Sequence, residues 1–224
     1  MSHSNKVDFI ERTKSELSTT IDAIHNHQYM DALDKHEIRI EKLEIFVCEQ
    51  YHIITNDRRN FALMISKASS ETATMLFIDC LHVEMDALRN LAIMAEESSI
   101  DNRKIECYEP LAGCQAYTNY LTRLASYGSD AEILTALLID FPIWGENCRK
   151  ISSLLKNSYG FSGQSCIFLD KFARPLPSNF VNNSKGLIDI ASLEHERSLN
   201  KAARLILDYE LLFWDTIYKH SIIN

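Results

Sequence analysis

Glu210 occupies a position where a helical period asks for an apolar side chain. Leu199, Ala202, Ala203, Ile206, Phe213 and Ile217 recur at spacings of three, four and seven, and Glu210 lies one turn from both Ile206 and Phe213. Glu84 fills the same kind of gap in the series Phe77, Leu81, Leu88, Leu91, Ala95, and Glu49 and His52 interrupt the apolar run IFVCEQYHII on the face that carries Ile45. A buried carboxylate is costly unless it is paired or its pKa moves, so such positions are candidates for proton transfer or for gripping a ligand nitrogen. Taken singly, each reads as a structural partner for an Arg, Lys or Tyr across a helix interface. Three of them on three helices point to a shared polar pocket inside a bundle.

The elements that must position these acids follow from the scarcity of breakers. The chain has only 6 Gly and 4 Pro in 224 residues, and none of either before Pro110. A sheet needs turn residues roughly every 8–12 positions, so the first half must be helical. The pattern predicts helices over 5–26, 28–34 and 38–56, then two more, the second starting at the Ser70/Glu71 cap and running to about Glu97. Shorter helices follow over 112–127, 130–141, 144–158 and 164–173. The segment 173–185 reads as a loop, and 187–219 as one long C-terminal helix with room for a kink, where His195 between two glutamates reads as a helix N-terminal residue. The sequence is expected to be one all-α domain over 1–224, with Trp144 and Trp214 as core aromatics.

Composition narrows the partners. Lys and Arg total 23 against 31 Asp and Glu, a net charge of −8, which disfavours phosphate-driven binding to nucleic acid and an anionic membrane surface alike. No apolar run approaches the roughly 18 residues of a spanning helix, and MSHSNKVDF lacks the features of a signal peptide, so a cytoplasmic location is expected. Six cysteines without CxxC spacing are expected to be reduced and mostly buried. Gly-rich phosphate loops, Ser-His-Asp sets and zinc spacings are absent.

Three segments together resemble the TenA/thiaminase II family. YELLFWDTIY (209–218) is similar to that family's closing helix, AYTNYL (116–121) to its mid-chain AYxxYL segment, and FVCEQYHI (46–53) to its early helix carrying an acid followed by aromatics. The resemblance implies a heme-oxygenase-like helical bundle and hydrolysis of aminopyrimidines related to thiamin, with a pocket Cys as nucleophile and a Glu as proton carrier. It also implies assembly as a homodimer or homotetramer. Position by position, Glu210 matches the acid/base Glu, Phe213 its neighbouring aromatic, Tyr117 a pocket Tyr, and Glu49 the acid that grips the pyrimidine.

The departures bear on chemistry. The family's nucleophile segment corresponds to DFPIWGENC, where aligning on Trp144 puts Pro142 at the Cys position and Glu146 at that of a Tyr. Phe172 stands for a later pocket Tyr, and His52 for a Tyr that would stack on the ring. The nearest other thiols are Cys148 and Cys114, both better read as small core residues than as nucleophiles. With no thiol in place, Glu146 and Glu210 could act as paired carboxylates that activate a water, one of them holding the proton. Glu49, His52, Tyr117, Phe213, Trp144 and Phe172 would then hold a small nitrogen heterocycle.

One alternative is a di-iron centre, as in other heme-oxygenase-like proteins. Glu49 and His52, and Asp79 and His82, carry an acid three residues before a His, the spacing that puts both on one helix face. Glu84 and Glu210 could complete a set of Glu49, His52, Glu84 and Glu210. Composition alone supplies about one such pair by chance, and His82 and Glu84 lie about 200° apart on a helix. The metal-free pocket is therefore the leading reading, and a non-enzymatic ligand-binding protein is the remaining one.

Overall fold

The computed structural model describes residues 8–222, and among them every regular element is helical. The helices are α1 (Phe9–Glu16), α2 (Ser18–His25), α3 (Gln28–Asp34), α4 (Leu43–Lys67), α5 (Glu71–Glu97), α6 (Asn102–Cys107), α7 (Ala112–Tyr127), α8 (Asp130–Ser158), α9 (Ile167–Phe172) and α10 (Ser178–Ile222). A 3-10 turn, Ile40–Lys42, leads into α4. The all-α architecture expected from the breaker count is the one observed. α10 packs along α8 and α7, α4 packs against α5 and α7, and α9 lies across α8 and α5. The apolar stripes of these helices meet in a continuous core that includes Phe46, Phe61, Phe77, Leu134, Ile206 and Trp214.

Several boundaries differ from the sequence reading, each for a physical reason. The helix expected over 5–26 is two helices meeting at Leu17, and its first residues lie outside the described range. The break expected at Asn56 does not occur. α4 runs on to Lys67 because Asp57, Asn60, Phe61 and Met64 continue its buried face without a glycine or proline to stop it. The helices expected over 130–141 and 144–158 are one, α8, which passes through Pro142. An interior proline costs about 3 kcal/mol, and α8 offsets that by burying side chains along its length, from Ala131 to Leu155. The loop read over 173–185 is short, since α10 already begins at Ser178, just after Pro177. α10 departs from helical geometry only at His195 (φ −123°, ψ 19°), the position read as a helix start. α6 was not foreseen.

Two glycines set the close approaches that build the interior. A Cβ on Gly145 would lie 2.6 Å from the Phe172 carbonyl oxygen, so its absence lets α8 press against the end of α9. A Cβ on Gly113 would collide with the Thr216 side chain, so α7 and α10 meet closely there as well.

Candidate active site

α4 presents Gln50, Ile53, Ile54 and Asp57, spaced 0, 3, 4 and 7, as one helical face toward the interior. Glu84 comes from the middle of α5 and Tyr117 from α7. Asp140, Phe141 and Trp144 come from α8 on either side of Pro142, Phe172 from α9, and Glu210 and Phe213 from α10. Together these side chains line a small cavity of about 50 Å³. That is room for water but not for a ring without side-chain movement.

Four of the lining residues are acids, and no Lys or Arg joins them. Tyr117 donates its hydroxyl hydrogen to Asp140 Oδ2 at 2.7 Å, and Trp214 Nε1 donates to Glu210 Oε1 at 3.1 Å. The other oxygens of this pair, Asp140 Oδ1 and Glu210 Oε2, are buried without a hydrogen-bond partner. Asp57 Oδ1 accepts from Asn60 Nδ2 at 3.0 Å and from the Thr118 hydroxyl, and Asn60 is itself oriented by Thr122 at 2.9 Å. Glu84 and Gln50 make no side-chain hydrogen bond or ion pair with a described residue.

The electrostatics follow from burial without a cation. Desolvation pushes Asp57 up to about 7, against the hydrogen bonds from Thr118 and Asn60, and the nearby Asp140 charge adds to the rise. Desolvation likewise raises Asp140 to about 6, opposed by the hydrogen bond from Tyr117 and by the Glu210 carboxyl beside it. Glu210 and Glu84 stand well above the ordinary carboxylate range, by burial first and then by the charges of Asp140 and Asp57 respectively. The four acids thus interact as one chain, Glu84 with Asp57, Asp57 with Asp140 and Asp140 with Glu210. Close carboxylates resist ionising together, so burial and mutual repulsion both bias this cluster toward keeping protons.

The aromatic wall is built around Trp144. Its ring stacks on Trp214 (centroids 5.5 Å apart) and meets Phe213 and Phe172 edge-on at 6.0 and 6.2 Å. Trp214 is fully buried, as expected of a core aromatic, while Trp144 both packs in the core and faces the cavity. Phe172 also borders an outer groove of about 350 Å³ on the other side, formed with Val83, Asp86, Ala87, Phe168, Lys171 and Arg174.

Of the residues singled out from sequence, Glu210, Glu84, Tyr117, Phe213, Trp144 and Phe172 are brought together at this cavity, and Glu49, His52 and Glu146 are not. Glu49 is fully buried, but its oxygens are taken by Tyr108 Oη (2.8 Å), the Leu111 amide (2.6 Å) and Gln115 Nε2 (2.7 Å). It ties α4 to the start of α7. The residue of that segment facing the cavity is Gln50, about 100° further round the helix. His52 sits against Tyr51 and Tyr108. Glu146 points away and pairs with Arg149 Nε at 3.0 Å, a hydrogen bond that holds its carboxyl below the usual value. The pairing of Glu146 with Glu210 is therefore corrected: the carboxylate beside Glu210 is Asp140.

The same geometry separates the four residues of the di-iron alternative, since Glu84 and Glu210 line the cavity while Glu49 and His52 do not. Among the described residues, no group of three or more His, Cys, Asp or Glu converges to hold a metal. Neither Cys148 nor Cys114 lines the cavity, and burial raises both thiols, with Glu210 and Glu49 respectively adding to the rise.

Asp57 and Asp140 were missed. The signal for Asp57 was the α4 stripe continued past Asn56. The signal for Asp140 was a lone acid inside the apolar run ILTALLIDF.

Comparison with known proteins agrees with this architecture. The sequence model of the TENA/THI-4/PQQC family matches residues 14–220. An aminopyrimidine aminohydrolase of Halalkalibacterium halodurans is 28% identical over 121 residues, 52% of this chain and only 53% of that protein's length. A second aminopyrimidine aminohydrolase, from Helicobacter pylori, is 22% identical over 211 residues, covering 87% of this chain and 91% of its own. A domain with a heme-oxygenase-like fold from Shewanella denitrificans superposes with a TM-score of 0.78 at 13% identity, over 94% of this chain and 92% of that one. No helix among the described residues is long and apolar enough to cross a membrane.

Proposed function

The chain belongs to the TENA/THI-4/PQQC family, and on that premise we propose that it hydrolyses a C–N bond of an aminopyrimidine, using the Asp140–Glu210 carboxyl pair in place of a thiol nucleophile. The observation that carries this reading is the pair itself. It consists of two buried carboxyl groups with one unpartnered oxygen each, their other oxygens fixed by Tyr117 and Trp214.

In the proposed step Asp140, as carboxylate, takes a proton from a cavity water while the water oxygen bonds to the carbon bearing the amino group. The C–N bond breaks, and Glu210, as the acid, delivers its proton to the departing nitrogen. An amine and water become an alcohol, or its keto tautomer, and ammonia, and the proton has moved from Glu210 to Asp140. Proton exchange within the pair or with water restores the starting state. A general acid and base are each most effective when their pKa lies near the working pH, and burial without a cation moves both of these groups in that direction.

The ring would lie among Phe213, Tyr117, Trp144 and Phe172, which must part to admit it into a cavity of about 50 Å³. Phe172, between the cavity and the outer groove, is the side chain placed to move. The assembly we propose is a homodimer or homotetramer, with no nucleic-acid or membrane partner, and light scattering on the purified protein tests the oligomer number.

The test of the activity is ammonia release from a panel of aminopyrimidines. Turnover that falls at least about 100-fold in both Glu210→Gln and Asp140→Asn is the expected result, the general range for losing an acid or base. Turnover that survives both substitutions but is lost in Cys148→Ser would overturn the carboxylate mechanism. A ring that binds with no ammonia released would leave a non-enzymatic ligand-binding protein.

A further inference from the structure

Glu84 lies on the inward face of α5, and the outward face of the same helix carries an order that the proposed chemistry does not use. Glu71, Met75, Ile78, His82, Met85, Arg89, Ala92 and Glu96 follow one another at spacings of 4, 3, 4, 3, 4, 3 and 4. That is the 3.5-residue repeat of a coiled-coil seam, and it keeps these side chains within about 100° of one another on the helix surface. The buried residues Leu76, Cys80, Ala87, Leu91 and Met94 lie on the opposite side, against the core. The outward stripe is open to solvent. Met75 is 53% exposed and Met85 40%, Glu71, His82, Arg89, Ala92 and Glu96 are exposed, and Ile78 is half-buried. Leu81 and Leu88, also half-buried, widen its apolar middle on one side. Single exposed apolar side chains need no explanation, but three within four consecutive seam positions form an unpartnered face.

The two ends of the stripe say what covers it. Glu71 makes no side-chain hydrogen bond or ion pair with a described residue. Arg89 pairs with Asp86 of its own helix, and Asp86 has a second cation, Lys171 Nζ at 3.6 Å. An acid at one end, a base at the other and an apolar middle make the face complementary to a reversed copy of itself. Two copies of α5 laid antiparallel about a two-fold axis level with residue 80 set Met75 against Met85, Ile78 against His82 and Glu71 against Arg89, each pair occurring twice. Other arrangements fare worse. Sliding the copies by one heptad sets Glu71 against Glu96, and sliding the other way leaves only residues 71–82 facing each other. A parallel pairing sets Glu71 against Glu71 and Arg89 against Arg89, which like charges oppose.

We propose that the outward face of α5 is the interface of a two-fold symmetric homodimer, an antiparallel helix pair spanning residues 71–89. This rests on the proposed assembly as a homodimer or homotetramer and names the face that forms it, and it is independent of the hydrolysis.

Sedimentation velocity of the full-length protein over a range of concentrations reads the assembly. Met75→Glu and Met85→Glu, each of which puts two acids into the apolar middle, are expected to raise the dissociation constant of this interface at least about 100-fold, so that a wild-type dimer becomes a monomer and a wild-type tetramer a dimer. Melting curves show that each subunit stays folded. Glu71→Arg and Arg89→Glu are each expected to weaken the interface about 10-fold, and the double variant to bring it back to within about threefold of wild type, a rescue that a role inside one subunit would not give. Oxidation of double-cysteine variants in a Cys107→Ser background reads the register. Met75→Cys with Met85→Cys is expected to give a disulfide-linked dimer, and Met75→Cys with Ala92→Cys to remain unlinked. A wild type that associates, with an assembly that all four single substitutions leave unchanged, overturns the α5 interface and leaves the assembly standing. A monomer at every concentration overturns both. Linking through position 92 in place of 85 overturns the register.

Discussion

Tyr117 spans the gap from α7 to α8 and donates its hydroxyl hydrogen to Asp140 at 2.7 Å, which keeps the carboxylate form of Asp140 within reach of neutral pH despite complete burial. The bond opposes the dominant effect of desolvation, so removing it must move Asp140 further up. Tyr117→Phe is expected to shift the acidic limb of the rate profile to higher pH and to lower the rate at neutrality by about 10- to 100-fold, the general scale for disabling a base. A profile with an unmoved acidic limb would mean that Asp140 is not the base.

The raised acids also fix how stability depends on pH. Asp57 and Asp140 have folded-state values of about 7 and about 6, above their ordinary value of 3.8. The folded state therefore holds more protons than the unfolded state between those limits. The stability this confers is fully present below about pH 4 and is lost as pH rises through 6 and 7. Chemical denaturation should show the protein losing stability between pH 5 and 8, and Asp57→Asn should flatten the curve and be the more stable form at pH 8. A gain that is equal at pH 5 and pH 8 would rule out titration as the cause.

How far the sequence reached depended on whether an acid sat on a definable stripe. Glu84 and Glu210 did, because α5 and α10 have one apolar face and one wet face, so an acid on the wrong face stands out. Asp140 did not, because residues around it in α8 are buried on nearly every side and no face can be drawn. Asp57 follows the stripe rule but fell beyond a helix end that was placed too early. Glu146 rests on motif register alone and Glu49 on both the apolar run and the motif, and a register error of one or two residues turns a side chain by about 100° or 200°. Glu49 in particular is as buried as a site residue, and only its three donors reveal that it braces α4 against α7.

Glu146 and Glu210 now make opposite predictions. Glu146 is partly exposed and paired with Arg149 within its own helix, so Glu146→Gln should change stability by no more than about 0.5 kcal/mol and leave the rate unaltered. Glu210→Gln should abolish ammonia release and, by removing a buried acid that Asp140 destabilises, hold or raise the melting temperature at pH 8. Activity lost in Glu146→Gln with the fold intact would restore the pairing drawn from the sequence.

Gly145 controls the position of Phe172 through backbone contact. A Cβ there would lie 2.6 Å from the Phe172 carbonyl oxygen, which is main chain and cannot rotate away. Gly145→Ala should therefore cost about 1–3 kcal/mol, as overpacking does, despite alanine's better helix propensity. Because α9 must shift outward, KM should change more than kcat. A stabilised variant with wild-type kinetics would mean that the α8–α9 contact is slack.

Phe172 itself separates the inner cavity from the outer groove. If ring entry is limited by parting the aromatic wall, shortening this side chain should speed binding, whereas shortening Phe213, which is almost wholly buried, should mainly damage the core. Phe172→Ala is expected to raise the association rate of an aminopyrimidine by roughly 10-fold, since loop and side-chain gating ordinarily holds such rates below the encounter limit. It should cost about 1–3 kcal/mol of stability, less than a fully buried Phe, because Phe172 is only partly buried. Stopped-flow binding measures the first effect and denaturant titration the second. An unchanged association rate in Phe172→Ala, with the expected loss of stability, would place the entrance elsewhere on the bundle.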